Sequence, residues 1–198
     1  MAIAIWFWIK MRKQIIFSWL YFILIYLSYA AYIIEKYDVE RYPISLIGWD
    51  FGGMRYLVLY IFLTIPYGLY QLLFLNRYFA GNKKVINIFA IISSSMMIIG
   101  GFIPLGENGS FSQRIHTFIS VSGSAILMLT ALAALVLHAI KQKYRVILVI
   151  FYILYAAALL QAFYVYYTAA LFQFMASLSF FTILLIVNTS AACRKIQK

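Results

Sequence analysis

VILVIFYILYAAALLQAFYVYYTAALFQFMASLSFFTILLIVNTSAA, residues 146–192, holds no charged side chain and is bracketed by Arg145 and Arg194. As one helix it would run about 70 Å at roughly 1.5 Å of rise per residue. The hydrocarbon core of a bilayer is only about 30 Å thick. Both flanks are basic, and short basic flanks are retained on the cytoplasmic side. The stretch therefore predicts two spans and a turn between them. The expected turn falls at Tyr166, Tyr167 and Thr168, where interface-preferring tyrosines gather.

The same logic extends toward the N-terminus. Further apolar runs predict spans over Ile15 to Ile34, Tyr56 to Leu75, Val85 to Pro104 and Thr117 to Ile140, followed by Val146 to Tyr166 and Ala169 to Ala192. Charge sorts itself between them. The acidic residues Glu35, Asp38, Glu40 and Asp50 lie in the first gap and Glu107 in the third. The alternating segments carry Lys10, Arg12 and Lys13, then Arg77, Lys83 and Lys84, then Lys141, Lys143 and Arg145, then Arg194, Lys195 and Lys198. A chain that crosses a bilayer repeatedly acquires this alternation. The fold class expected is all-α: one membrane-embedded domain over residues 1–198, a six-helix bundle with both termini cytoplasmic.

Composition points the same way. The chain is 66% hydrophobic and only 11% charged, where soluble proteins carry about a quarter charged residues. Mean hydropathy is +0.93. A net charge of +11 would suggest nucleic acid in a soluble protein. Here most of the basic residues sit on one expected face, which orientation and anionic headgroups explain, so no nucleic-acid partner is expected. The expected location is a bacterial or archaeal cytoplasmic membrane.

Several chemistries find no support. The single cysteine, Cys193, cannot form an internal disulfide; at the end of the last span it reads as an interfacial thiol or an acylation site. No Cys/His spacing suggests a metal, and no cofactor is expected. His116 and His138 would stand about 33 Å apart on one helix, which excludes joint haem ligation. Ionisable residues are absent from mid-span, against a proton- or sodium-coupled transporter. The opening MAIAIWFWI precedes its charges rather than following them, unlike a cleaved signal peptide. It reads as an interfacial segment with Trp6 and Trp8 at headgroup depth, or as the first turns of a longer opening helix.

Within the spans, Ser120, Gly123 and Ser124 form a small-residue face suited to close helix packing. Pro66 and Gly68 predict a kink. The first outer loop, EKYDVERYPISLIGWDFGGMR, residues 35–55, suggests a short interfacial or re-entrant element. In GGFIPLGENGSFSQRIHTF, residues 100–118, Pro104 ends a helix, residues 106–109 turn, and His116 opens the next helix. Asn108-Gly109-Ser110 is a glycosylation sequon.

The polar residues of the outer side, Asp50, Arg55, Glu107, Arg114 and His116 with Trp49, form the candidate ligand site. His116 has three readings: a loop-to-helix hydrogen bond, a ligand contact for an anionic headgroup with Arg114 and Arg55, or a catalytic base partnered by Glu107 or Asp50 with Ser110 or Ser112 as nucleophile.

The Gly101-Phe102-Ile103-Pro104 turn followed by His116 resembles an uncharacterised prokaryotic six-helix membrane family with a Phe-x-Pro turn and a downstream His. That family is similar in turn to the damage-regulated autophagy modulator, Sfk and GPI-remodelling membrane families. Ser45-Leu46-Ile47-Gly48 fits the same pattern, and the resemblance spans residues 15–190. The family often places an acidic residue directly after the Pro, where this chain has Leu105, with Glu107 two positions on. The resemblance implies six helices, cytoplasmic termini and work on membrane lipids.

The function expected is an outward-facing pocket that binds a lipid or amphiphile without chemistry, with membrane lipids as partners. The alternatives are an oligomeric pore, an outer-leaflet hydrolase or transferase using His116, and an accessory subunit of another membrane protein.

Overall fold

A long apolar run in lipid must satisfy its backbone polar groups internally, and the helix does so within one segment. The computed structural model describes residues 2–38, 44–49, 53–104, 109–142, 145–166 and 170–196. It contains helices and no strand among the described residues. In chain order these are α1 (Ala2–Leu20), α2 (Ser28–Lys36), α3 (Ile44–Trp49), α4 (Met54–Leu75), α5 (Lys84–Phe102), α6 (Phe111–Ile140), α7 (Arg145–Tyr166) and α8 (Ala170–Ile196). Wider π-helical turns continue two of them, Tyr21–Leu27 between α1 and α2 and Asn76–Ala80 after α4.

Five segments are long and apolar enough to cross a bilayer: Met11–Lys36, Met54–Ala80, Lys84–Phe102, Phe111–Ile140 and Gln173–Cys193. They correspond to the first four predicted spans and the last. The fifth predicted span is the 22-residue helix α7, whose described apolar part covers Leu148–Ala157. The chain is a multi-pass helical membrane protein by length and composition.

The opening helix begins at Ala2, so the first residues are turns of a longer helix rather than a separate segment. Its π turn places both Phe22 and Tyr26 in the interior. There Tyr26 donates its hydroxyl to the Phe174 carbonyl at 3.2 Å. Phe22, Tyr26, Tyr67, Phe181 and Leu185 make the middle layer of the core.

Helix α4 passes through Pro66 without ending. The need for glycine at Gly68 is packing: a Cβ there would stand 2.9 Å from the Phe181 ring. The Ser120/Gly123/Ser124 face meets α5. A Cβ on Gly123 would lie 3.0 Å from the Ser93 carbonyl oxygen, and one on Gly100 would collide with Ser120 Oγ. Small residues on both helices thus let two backbones approach.

At the basic end, Asn76 fastens the turn from α4 to α5. Its side chain accepts from Lys83 N–H at 3.0 Å and donates to the Lys83 carbonyl at 2.9 Å and to Asn87 Oδ1 at 2.7 Å. Gly81 (φ 105°) and Asn82 (φ 53°) supply the left-handed residues that close this turn.

The expected turn near Tyr166, Tyr167 and Thr168 falls in the gap between α7 and α8, and residues 167–169 lie outside the described residues. Tyr155 donates its hydroxyl to Ser179 Oγ at 2.9 Å. These residues stand at similar distances from the gap, as in an antiparallel hairpin.

Candidate functional site

Two ends of the bundle can be distinguished by charge. The end that carries the acidic gaps also collects the C-terminus of α2, all of α3 and the N-termini of α4 and α8. Tyr29, Ile33, Ile44, Ile47, Tyr56, Leu57, Ile61 and Phe174 form its core layer. Helix α3 is the interfacial element predicted in the first loop, over Ile44–Trp49. Gly53 N–H donates to the Ile47 carbonyl at 3.1 Å, and a Cβ on Gly48 would collide with Leu57 at 2.6 Å. That close approach presses α3 onto α4.

Around Tyr56 lies a cluster of aromatic rings and cations. Tyr29 donates its hydroxyl to the Tyr56 carbonyl at 2.6 Å. The hydroxyls of Tyr32 and Tyr56 are 3.0 Å apart. Lys36 Nζ donates to Tyr56 Oη at 2.7 Å and to Tyr32 Oη at 3.2 Å. The same ammonium stands 4.7 Å from the centre of the Tyr56 ring and 5.7 Å from that of Tyr37. The Arg55 guanidinium carbon lies 4.8 Å from the Tyr56 ring centre. Tyr56 is buried, whereas Lys36 and Arg55 are exposed. Neither cation has a carboxylate partner among the described residues. Lys36 spends two of its three N–H donors on these hydroxyls, which leaves one, with the Arg55 guanidinium, for an incoming anion.

Of the predicted site residues, Trp49 and Arg55 share one layer. Trp49 packs against the core layer that contains Tyr56; its indole N–H is buried without a partner among the described residues. Arg55 joins the same cluster. Arg114 is exposed on the first turn of α6. Asp50, Glu107 and Asn108 lie outside the described residues.

His116 is committed elsewhere. It is 6% exposed, and its Nδ1 lies 2.9 Å from the Ile103 carbonyl oxygen. A carbonyl only accepts, so Nδ1 carries the proton. His116 therefore ties the end of α5 to α6, the first of its three readings. It does not open the helix. Helix α6 starts earlier, at Phe111, because Ser110 Oγ accepts from Gln113 N–H at 3.1 Å. Gln113 Oε1 in return accepts from Gly109 N–H at 2.5 Å. This reciprocal arrangement closely resembles a capping box. Ser112 Oγ donates to the Pro104 carbonyl at 2.5 Å. Ser110 and Ser112 thus hold backbone groups, and no hydrogen bond joins either to His116.

Lys36 was missing from the sequence-derived site. The signal was present: Tyr32 and Lys36 stand four apart on a helix and so share a face. Lys36 stands in a gap marked by the acidic Glu35 and Asp38. Among the described residues no group of three or more His, Cys, Asp or Glu could hold a metal ion.

Comparison with family models, with curated proteins and with solved structures gives no match. The resemblance drawn above from the Phe-x-Pro turn and His116 rests on those short motifs alone.

Proposed function

We propose that this chain is a six-span membrane protein that binds the anionic headgroup of a lipid or similar amphiphile, without chemistry, at the end carrying its acidic gaps. Helix α7 supplies the sixth span, and both termini lie in the cytoplasm. The headgroup site is centred on Lys36 and Arg55 rather than on His116. Tyr32, Tyr37 and Tyr56 supply its aromatic wall, and Trp49 offers a further donor from the same layer.

The observation that carries this reading is the placement of two exposed cations on one buried tyrosine with no carboxylate partner among the described residues. Donors of this kind match phosphate oxygens. Aromatic residues at the bilayer interface give an acyl chain an apolar surface beside the charge. Arg114, on the neighbouring start of α6, adds positive charge to the same end.

The test is lipid retention in nanodiscs by native mass spectrometry, with phosphatidylglycerol and phosphatidylcholine in competition. Wild type should retain phosphatidylglycerol preferentially. The Lys36→Gln/Arg55→Gln variant should lose that preference while Arg114→Gln reduces it less. Equal retention of both lipids by wild type would end the proposal.

A further inference from the structure

Orientation in a bilayer requires basic residues on one side of it. It does not require two of them to converge, yet at the basic end Lys83 and Lys141 do. Lys83 directly precedes α5, and Lys141 directly follows α6. Between them lies the Gly81–Asn82 turn, whose backbone is held by Asn76. The Asn76 carbonyl accepts from Asn82 N–H at 2.7 Å, and its side chain bonds both the N–H and the carbonyl of Lys83. A Cβ built on Gly81 would stand 3.2 Å from Lys141 Nζ and 3.9 Å from Lys83 Cε. Gly81 has no side chain to fill that space, so lysines from two helices reach over one point of the turn.

Among the described residues nothing offsets the charge gathered there. Lys83, Lys84 and Lys141 are exposed, and neither the Lys83 nor the Lys141 ammonium has a hydrogen-bond or carboxylate partner among the described residues. All five acidic residues belong to the first and third gaps of the sequence, whereas this notch is built from the second and fourth. At the start of α5 the helix dipole adds to the repulsion between the lysines rather than relieving it.

Depth names the missing counter-ion. The apolar segments Met54–Ala80 and Phe111–Ile140 end immediately before Gly81 and Lys141, and Lys84–Phe102 begins immediately after Lys83. The notch therefore stands at the boundary of the hydrocarbon, where lipid headgroups carry their phosphates. Basic pockets between the ends of spanning helices suit anionic headgroups. We propose that Lys83 and Lys141 together bind the phosphodiester of an anionic phospholipid over Gly81, one ammonium on each non-bridging oxygen. A zwitterionic lipid fits less well, because its own cation would be brought among the lysines. This site lies at the opposite end from Lys36 and Arg55 and does not depend on them.

Amine footprinting tests the proposal. The protein, in nanodiscs of phosphatidylcholine alone or mixed with phosphatidylglycerol, is treated with sulfo-NHS acetate, and labelling rates are read by peptide mass spectrometry. Phosphatidylglycerol should slow the labelling of Lys83 and Lys141 about tenfold, the equivalent of one charge-assisted hydrogen bond. Lys13, exposed at the same end on α1, reports the general attraction of the surface and should slow far less. Lys83→Gln should remove most of the protection at Lys141, because the shared phosphate loses one of its two holds; both side chains are exposed, so the fold does not need them. Equal slowing of all three lysines, slowing of none, or full protection of Lys141 in Lys83→Gln overturns the proposal. Protection by inorganic phosphate in phosphatidylcholine nanodiscs would overturn the lipid as its source. Lys36 in the same samples reports the site at the other end, so either site can fail while the other stands.

Discussion

Lys36 Nζ meets the Tyr56 hydroxyl at 2.7 Å while standing 4.7 Å from the centre of the same ring. The ammonium therefore sits at the oxygen end of the ring, held by the hydroxyl. A substitution that removes only the oxygen tests that hold.

Tyr56→Phe should preserve the ring and the fold while releasing Lys36 from its hydrogen bond. Preference for phosphatidylglycerol should weaken in this variant, though less than in Lys36→Gln, which removes the charge itself. Native mass spectrometry of both variants in the same nanodisc mixture checks the order. If Tyr56→Phe lost as much as Lys36→Gln, the hydroxyl rather than the cation would be the main headgroup contact.

His116 should behave as a structural residue. Removing its imidazole leaves the half-buried Ile103 carbonyl without its donor at a helix end, a loss of about 1 kcal/mol. His116→Ala should therefore unfold at lower temperature in detergent, with its lipid preference unchanged below the transition. Wild-type stability combined with lost lipid preference would return His116 to the binding site.

The contrast between His116 and Lys36 shows what the sequence made legible. Five of the six span positions followed from hydropathy, and the first four of the five gaps were marked by charged residues, because lipid penalises polar backbone and charge wherever they fall. The small-residue face on α6 was likewise readable, since close packing requires small side chains whatever the partner helix. Local capping chemistry at Ser110 and Gln113 was readable in principle, as Ser-x-x-Gln, yet the polar appearance of residues 110–116 concealed a helix already under way. Site residues were harder. Lys36 meets Arg55 only through Tyr56, across the loop between α2 and α4, and no pattern within one helix encodes that meeting. The hydrogen bond between Gln71 and Asn188 joins residues 117 positions apart, so it is visible only once α4 and α8 are packed.

Packing of α5 on α6 should be intolerant of bulk at one glycine and forgiving at another. Gly123→Val would force side-chain atoms against Met96, Met97 and the Ser93 carbonyl, all within 3.0 Å of a Cβ. Overpacking of this kind costs about 1–3 kcal/mol or more. Gly109→Ala meets nothing within 4 Å and should cost about 1 kcal/mol, for its left-handed φ alone. Thermal unfolding in a fixed detergent ranks the two, and a reversed order would mean that α5 and α6 pack differently.

The number of crossings can be decided with the exposed thiol of Cys193. Six spans place it on the same side as the N-terminal cluster of Arg12 and Lys13, because an even number of crossings returns the chain to its starting face. Five spans, with α7 lying on the surface, would put it opposite. The distinction rests on α7, whose 22 residues suffice to cross a hydrocarbon core that needs roughly 20. Surface placement is costly for this helix, since it has no charged residue after Arg145 and therefore no polar face to turn toward water. A membrane-impermeant maleimide applied to intact vesicles of known orientation reads the outcome. Native Cys193, and single cysteines at Arg12→Cys and Lys83→Cys introduced after Cys193→Ser, should react only from the cytoplasmic face. Ser110→Cys in the same background should react only from the other. Reaction of Cys193 and Arg12→Cys from opposite faces would remove the α7 crossing, and a reactive Lys83→Cys beside Ser110→Cys would remove the charge-sorted topology altogether.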